Sequence, residues 1–200
     1  MFQKDYINCH DFTVSGFDTN PGGALQLGVS FLDKPDSRDD SHTGWSAIAQ
    51  HKQKGFLGGL NTFAVQYGRG PGTALSYTGD PTLDNANQSW RMVEYFDWQM
   101  TPRFSGQLQV VYQKDKRPDG DDQNWLSVGV RPVYAFTEQF KLSTEIGRDQ
   151  VEAPGGTRKL TKFTIAPTWS PAGSALSDTG AFGNALHGSN VGVQLEYWWK

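Results

Sequence analysis

Asn190-Val191-Gly192-Val193-Gln194-Leu195-Glu196-Tyr197-Trp198-Trp199-Lys200 alternates: odd positions are apolar or aromatic, and even positions are mostly small or polar. A period of two marks a β-strand whose faces meet different surroundings, here lipid on one side and a wet lumen on the other. Trp198 falls in the polar phase. A large ring there needs a reason, and alternation alone leaves it open between a lumen-facing ring and a girdle or packing residue.

Outward from this strand, Ser170 to Gly188 is mostly Gly, Ala, Ser, Asp and Asn and holds no alternating segment. Before it, Phe163, Ile165, Pro167 and Trp169 oppose Lys162, Thr164, Ala166 and Thr168, with Pro167 read as a strand end or bulge. Asp149 to Arg158 reads as a loop. Phe140, Leu142, Thr144 and Ile146 oppose Lys141, Ser143, Glu145 and Gly147, and a short Phe136-Thr137-Glu138 turn links them to a strand where Leu126, Val128, Val130 and Tyr134 oppose Trp125, Ser127, Gly129 and Arg131.

The same alternation continues upstream. Lys114 to Asp122 is a loop, Phe104 to Gln113 a strand with Val111 interrupting its polar set, and Thr101-Pro102-Arg103 a turn. Ser89 to Gln99 places Trp90, Met92, Glu94, Phe96 and Trp98 in one phase. Gly68 to Ser89 is a long loop suited to an exposed rim. Phe56 to Tyr67, a break at Lys52-Gln53-Lys54-Gly55, Gly44 to His51, an acidic loop, Ala24 to Leu32 and Phe12 to Phe17 complete about ten strands. Long loops and short turns take turns along the chain, as in outer-membrane barrels.

Composition agrees. Only 36% of the 200 residues are hydrophobic, yet there are 7 Trp, 7 Tyr and 12 Phe, too many aromatics for a disordered chain. No run of about 18 apolar residues exists, which excludes helical spans and leaves a barrel allowed. The net charge of -3, with acidic clusters at Asp33–Asp40 and Asp119–Asp122 and no basic stripe, argues against a nucleic-acid partner. These clusters read as solvated loop tips. Cys9 is the only cysteine, and no metal or cofactor motif is present, so none is expected. Met1-Phe2-Gln3-Lys4-Asp5-Tyr6 leads into polar sequence without an apolar signal core; export needs one, so the native N-terminus is expected to lie upstream.

No catalytic constellation emerges, so the chain is not expected to be an enzyme, and an outer-membrane hydrolase remains a weak alternative. Girdle positions explain Tyr67, Trp90, Tyr112, Tyr134, Trp169, Tyr197 and Trp199. Arg131, Lys141, Glu145, Lys162, Gln194 and Glu196 share inward phases, which gives a charged lumen. Sugars suit such a lumen, because a ring plane covers their C–H face while polar side chains bond the hydroxyls.

Asn20-Pro21-Gly22-Gly23, Lys54-Gly55-Phe56, Asn61-Thr62-Phe63-Ala64-Val65-Gln66-Tyr67, Val128-Gly129-Val130-Arg131-Pro132-Val133-Tyr134 and Gly192-Val193-Gln194-Leu195-Glu196-Tyr197-Trp198-Trp199 together resemble the maltoporin and sucrose porin family, the LamB-type carbohydrate porins. Glu145-Ile146-Gly147 and the lysine-rich start of Leu160 to Pro167 fit as well. The likeness spans most of this chain and the C-terminal half of a family member. It implies an all-β transmembrane antiparallel barrel of the outer-membrane type, here a single partial-barrel domain over residues 1–200 relative to an eighteen-stranded fold. It further implies a homotrimer in outer-membrane lipid, and facilitated diffusion of maltose, maltodextrins or related oligosaccharides along a row of aromatic rings. Phe56, from Lys-Gly-Phe, and Trp198, from the terminal strand, are the rings it assigns to that slide.

Two departures accompany the likeness. A family strand is expected to be missing between 170 and 189, together with its slide Trp, and the family's N-terminal half with its signal, further slide aromatics and constriction loop is not in this sequence. The alternatives are a soluble β-rich carbohydrate-binding domain and a nonfunctional porin fragment aggregating through exposed strand edges.

Overall fold

A computed structural model describes residues 8–33, 42–75 and 80–169 in full, and 191–192 and 195–199 as backbone. Nine long strands follow in order: β1 (Asn8–Asn20), β2 (Gly23–Asp33), β3 (Gly44–Phe56), β4 (Gly59–Arg69), β5 (Gln88–Thr101), β6 (Phe104–Lys116), β7 (Gln123–Ala135), β8 (Phe140–Ala153) and β9 (Gly156–Trp169). The short β10 (Val191–Gly192) and β11 (Leu195–Trp199) both pair with β9. Every long strand pairs antiparallel with the next, so sheet order is chain order. Among the described residues β1 pairs only with β2, and the sheet is open: a partial barrel wall. The strand expected to be missing between 170 and 189 lies outside the described residues.

Turn chemistry sets the two ends of this wall. At one end, Pro21-Gly22, Leu57-Gly58, Pro102-Arg103 and residues 136–139 join the strands. Leu57 and Gly58 both have positive φ, 47° and 74°, as a type I′ hairpin turn requires. In the last of these turns the Thr137 hydroxyl accepts from the N–H groups of Gln139 and Phe140 at 3.2 and 2.9 Å. The other end carries the described residues 42–43, 70–75 and 80–87, the segment 117–122, and the tight Pro154-Gly155 turn.

Three expectations are corrected here. Lys52-Gln53-Lys54-Gly55 is not a break: β3 runs on to Phe56, and Gly55, at φ 81°, forms a bulge between the pairs Lys54–Leu60 and Phe56–Gly59. Asp149 to Arg158 is not a loop, because β8 and β9 stay paired to Ala153–Gly156. Pro167 causes neither an end nor a bulge; it pairs with Leu142 in unbroken register.

Directly opposed residues of an antiparallel ladder share a face. One row runs Gln50, Ala64, Val93, Val111, Ser127, Asp149 and Leu160, and the polar face is built from such rows. A row of the other face runs Phe96, Leu108, Val130, Ile146 and Phe163. Large apolar side chains crowd that second face and stay exposed, among them Val65, Met92, Leu126, Val128, Ile146 and Ile165. Water would penalise such a surface, and hydrocarbon would not.

The apolar band also gives the strand tilt. It centres near Val65 on β4 and near Ile165 on β9, and Ile165 shares its row with Thr144, Gly106 and Trp98, which the β4–β5 register, carried one position past Leu60–Asp97, aligns with Gly59. The β7–β8 register is the same on either side of Arg131-Pro132, where the ladder is interrupted because proline has no N–H. The band thus slips six positions over five strand steps, and at about 3.3 Å per residue and about 4.8 Å per strand this is a tilt of about 40°. Membrane barrels tilt their strands by about 35–45°.

Aromatic pairs bound the band at both edges. Trp45 and Tyr67 (centroids 5.4 Å apart) and Trp90 and Tyr112 (5.2 Å) lie towards the long-loop end. Tyr134, Phe136 and Phe140 follow one another at 5.0 and 5.5 Å at the short-turn end. Between Trp90 and Trp98 β5 runs about 27 Å, or about 20 Å of depth at that tilt, close to the apolar band of about 25 Å in such barrels.

Candidate functional site

One charged cluster of the polar face lies on β7, β8 and β9. Arg131 donates from Nε and Nη2 to Glu145 Oε2 at 2.8 and 2.6 Å, and Lys162 Nζ lies 3.2 Å from Glu145 Oε1. Alternation puts all three on one face, and the register then brings them together, since Glu145 lies opposite Thr164, two residues from Lys162. Arg131 is exposed, while Glu145 and Lys162 are part-buried on the wet face. Their effect is to fix donors and acceptors in a wet groove at mid-depth.

This network continues towards β5. Arg131 Nη1 reaches Gln107 Oε1 at 3.5 Å, and Gln107 Nε2 donates to the Tyr95 hydroxyl oxygen at 2.8 Å. A hollow of 110 Å³ lies among Tyr95, Gln107, Gln109, Gly129, Arg131 and Glu145, and one of 350 Å³ adjoins it at Asp97, Ser105 and Ser143. Towards the long-loop end a second network joins Arg91 Nε to Gln66 Oε1 at 2.8 Å, and both Ser89 and Gln113 to Asp115. Trp125 Nε1 donates to Asp149 at 3.3 Å.

Over β3 and β4 the long connection folds inward as a 3-10 turn, Gly70–Ala74. Glycines make the approach feasible: a Cβ on Gly44 would lie 2.6 Å from Pro71 Cδ, and one on Gly68 would overlap the Gly72 carbonyl oxygen. Arg69 clamps the far side by donating to Asn85 O at 3.1 and 2.7 Å, and Gly70 N–H donates to Asn87 O at 3.0 Å. Leu75 is only 6% exposed under this fold, and a 310 Å³ hollow separates it from Asp11, Thr13 and Ser30.

Of the expected lumen residues, Arg131, Glu145 and Lys162 converge. Lys141 is 6% exposed at the start of β8, opposite Ala135 and Thr168 and four positions from Glu145. The backbone of Glu196 lies opposite Thr164 and that of Trp198 opposite Lys162; Gln194 lies outside the described residues. Phe56 departs from its expected place. The Gly55 bulge shifts its phase, so it pairs with Gly59 and packs its ring 5.1 Å from Phe96 on the apolar face. Tyr95 was not anticipated. Its odd position beside Arg91, Val93 and Asp97 carried the signal, masked by the aromatic even phase of the same strand.

A tilted antiparallel sheet with an apolar outer face, two aromatic edges and a charged wet face is the wall of a membrane β-barrel channel. A family model described as LamB porin matches residues 1–178 of the 200. The chain belongs to the LamB porin family. Its members are carbohydrate-selective porins set in the outer membrane, transport proteins and not enzymes.

Proposed function

We propose that this chain, together with the strands that close its sheet, forms an outer-membrane channel for maltose, maltodextrins or related oligosaccharides, assembled as a homotrimer. Closure is required, because the edge of β1, unpaired among the described residues, would leave N–H and C=O groups unsatisfied in hydrocarbon. The observation that supports the sugar reading best is the Arg131–Glu145–Lys162 network at mid-depth on the wet face. Its two cations share the one carboxylate of Glu145, so it offers ordered donors and acceptors to a neutral, hydroxyl-rich solute. Trp198, opposite Lys162 in register, supplies the ring surface, while Lys141, Gln194 and Glu196 extend the polar lining. Transit needs binding strong enough to admit the sugar and weak enough to release it.

Liposome swelling tests the proposal. Vesicles holding the full chain should swell in isotonic maltose or maltotriose faster than in raffinose, and the preference should fall in Trp198→Ala. Equal rates in all three sugars would remove the selectivity, and no swelling would remove the channel.

A further inference from the structure

The ladder places a second aromatic ring in the row of Trp198. From β5 to β11 this row runs Tyr95, Gln109, Gly129, Gly147, Lys162 and Trp198. Its two central positions are glycines on the wet face. A Cβ on Gly129 would meet nothing within 4 Å, and one on Gly147 would make only ordinary contact with Lys162 at 3.9 Å. Neither backbone has a positive φ, so turn conformation does not account for glycine here. The effect is a floor without side chains, open beside Tyr95 and flanked one row away by Gln107, Arg131 and Glu145.

Tyr95 is held ready at one end of this floor. Its ring stands in a phase otherwise occupied by Arg91, Val93 and Asp97, and Gln107 fixes its hydroxyl by donating at 2.8 Å. The bond from Gln107 fixes the position of the ring and leaves the ring plane and the O–H proton to meet a solute. Five strand steps of about 4.8 Å separate Tyr95 from Trp198, about 24 Å along the wall. With strands tilted by about 40°, the row climbs as it goes round, towards the long-loop end.

We propose that Tyr95 is a sugar-stacking residue and that the row from Tyr95 to Trp198 is a glycine-floored track for an oligosaccharide. The sugar's C–H face lies on the Tyr95 ring, and its hydroxyls meet Gln107, Gln109, Arg131 and Glu145. Gly129 and Gly147 leave the depth that a chain of sugar rings needs to pass between the aromatic positions. This assignment rests on the carbohydrate-porin reading.

The test is block of ionic current by maltotriose and maltohexaose across planar bilayers holding the full chain. Tyr95→Ala should weaken block about tenfold, measured as the fraction of each variant's own sugar-free current, as expected for a lost ring contact. Tyr95→Phe, which keeps the ring and loses the hydroxyl, should stay within about threefold of the parent, a difference well under one aromatic contact. Gly129→Val, a substitution favourable to a strand, should weaken block of maltohexaose more than of maltotriose. Parent current blocked by maltodextrin and equally blocked in Tyr95→Ala would overturn the Tyr95 assignment alone. Tyr95→Phe as damaging as Tyr95→Ala would overturn the stacking role. A parent current untouched by either sugar would overturn the porin reading itself.

Discussion

The two faces of the sheet obey opposite rules, although their residues alternate along the same strands. On the outer face burial is left to lipid: Val128 and Ile146 are 39% and 54% exposed, and rings gather at the edges. On the inner face polar groups satisfy one another across strands, as in Tyr95–Gln107–Arg131–Glu145–Lys162. Stability therefore rests mainly on one face and selectivity on the other, and neighbouring positions should respond very differently to the same substitution.

The largest effect should come from adding charge. Val130→Lys, near the middle of the apolar band, is expected to cost about 2–4 kcal/mol, while Ser127→Lys, on the wet face of the same strand, should cost about 1 kcal/mol or less. Urea unfolding of the protein in phospholipid vesicles would compare them. Equal costs would break the assignment of faces.

Next in size is the outer face's own packing. The Trp98 ring lies over Gly106, where any Cβ would overlap it, and Trp98 Nε1 is buried with no partner among the described residues. Gly106→Val should displace the indole and cost about 1–3 kcal/mol, seen as a lower urea midpoint and a red-shifted tryptophan emission. An unchanged emission would mean the ring does not sit there.

A smaller effect of opposite sign is expected at Glu94. This carboxylate faces outward at the centre of the aromatic run of β5 and accepts from Asn61 Nδ2. Glu94→Leu should stabilise by about 1 kcal/mol, since lipid-facing Asp and Glu are costly but less so than Lys or Arg. Destabilisation would indicate that this point of the outer face meets protein, not lipid.

Selectivity should move with little change in stability in Glu145→Gln. Removing the anion between Arg131 and Lys162 leaves both cations facing the lumen, and the reversal potential in a KCl gradient should shift towards chloride. No shift would place the network outside the conducting path.

How far the sequence revealed this contrast depends on whether the two faces met different media. Along β6, Phe104, Leu108, Val110 and Tyr112 against Ser105, Gln107, Gln109 and Gln113 was legible, because lipid and water demand different residues. Beyond Ile146 that demand ends: Arg148, Gln150, Glu152, Thr157 and Lys159 lie in the outer phase yet are polar, so the β8–β9 hairpin passed for a loop. The Leu57-Gly58 turn was hidden by a leucine at positive φ, and the Gly55 bulge that precedes it turned Phe56 away from the lumen. For the site, residue types were legible and partners were not. Arg131, Glu145 and Lys162 could be placed on one face, but their meeting depends on cross-strand register, as does the shared row of Tyr95 and Trp198.

The most direct test of the sugar channel is the current through a planar bilayer holding the full chain as maltotriose is added. Selective conduction along a lined wall predicts a saturable fall in current, reversed when the sugar is washed out. A stable current that no concentration of maltotriose changes would contradict it.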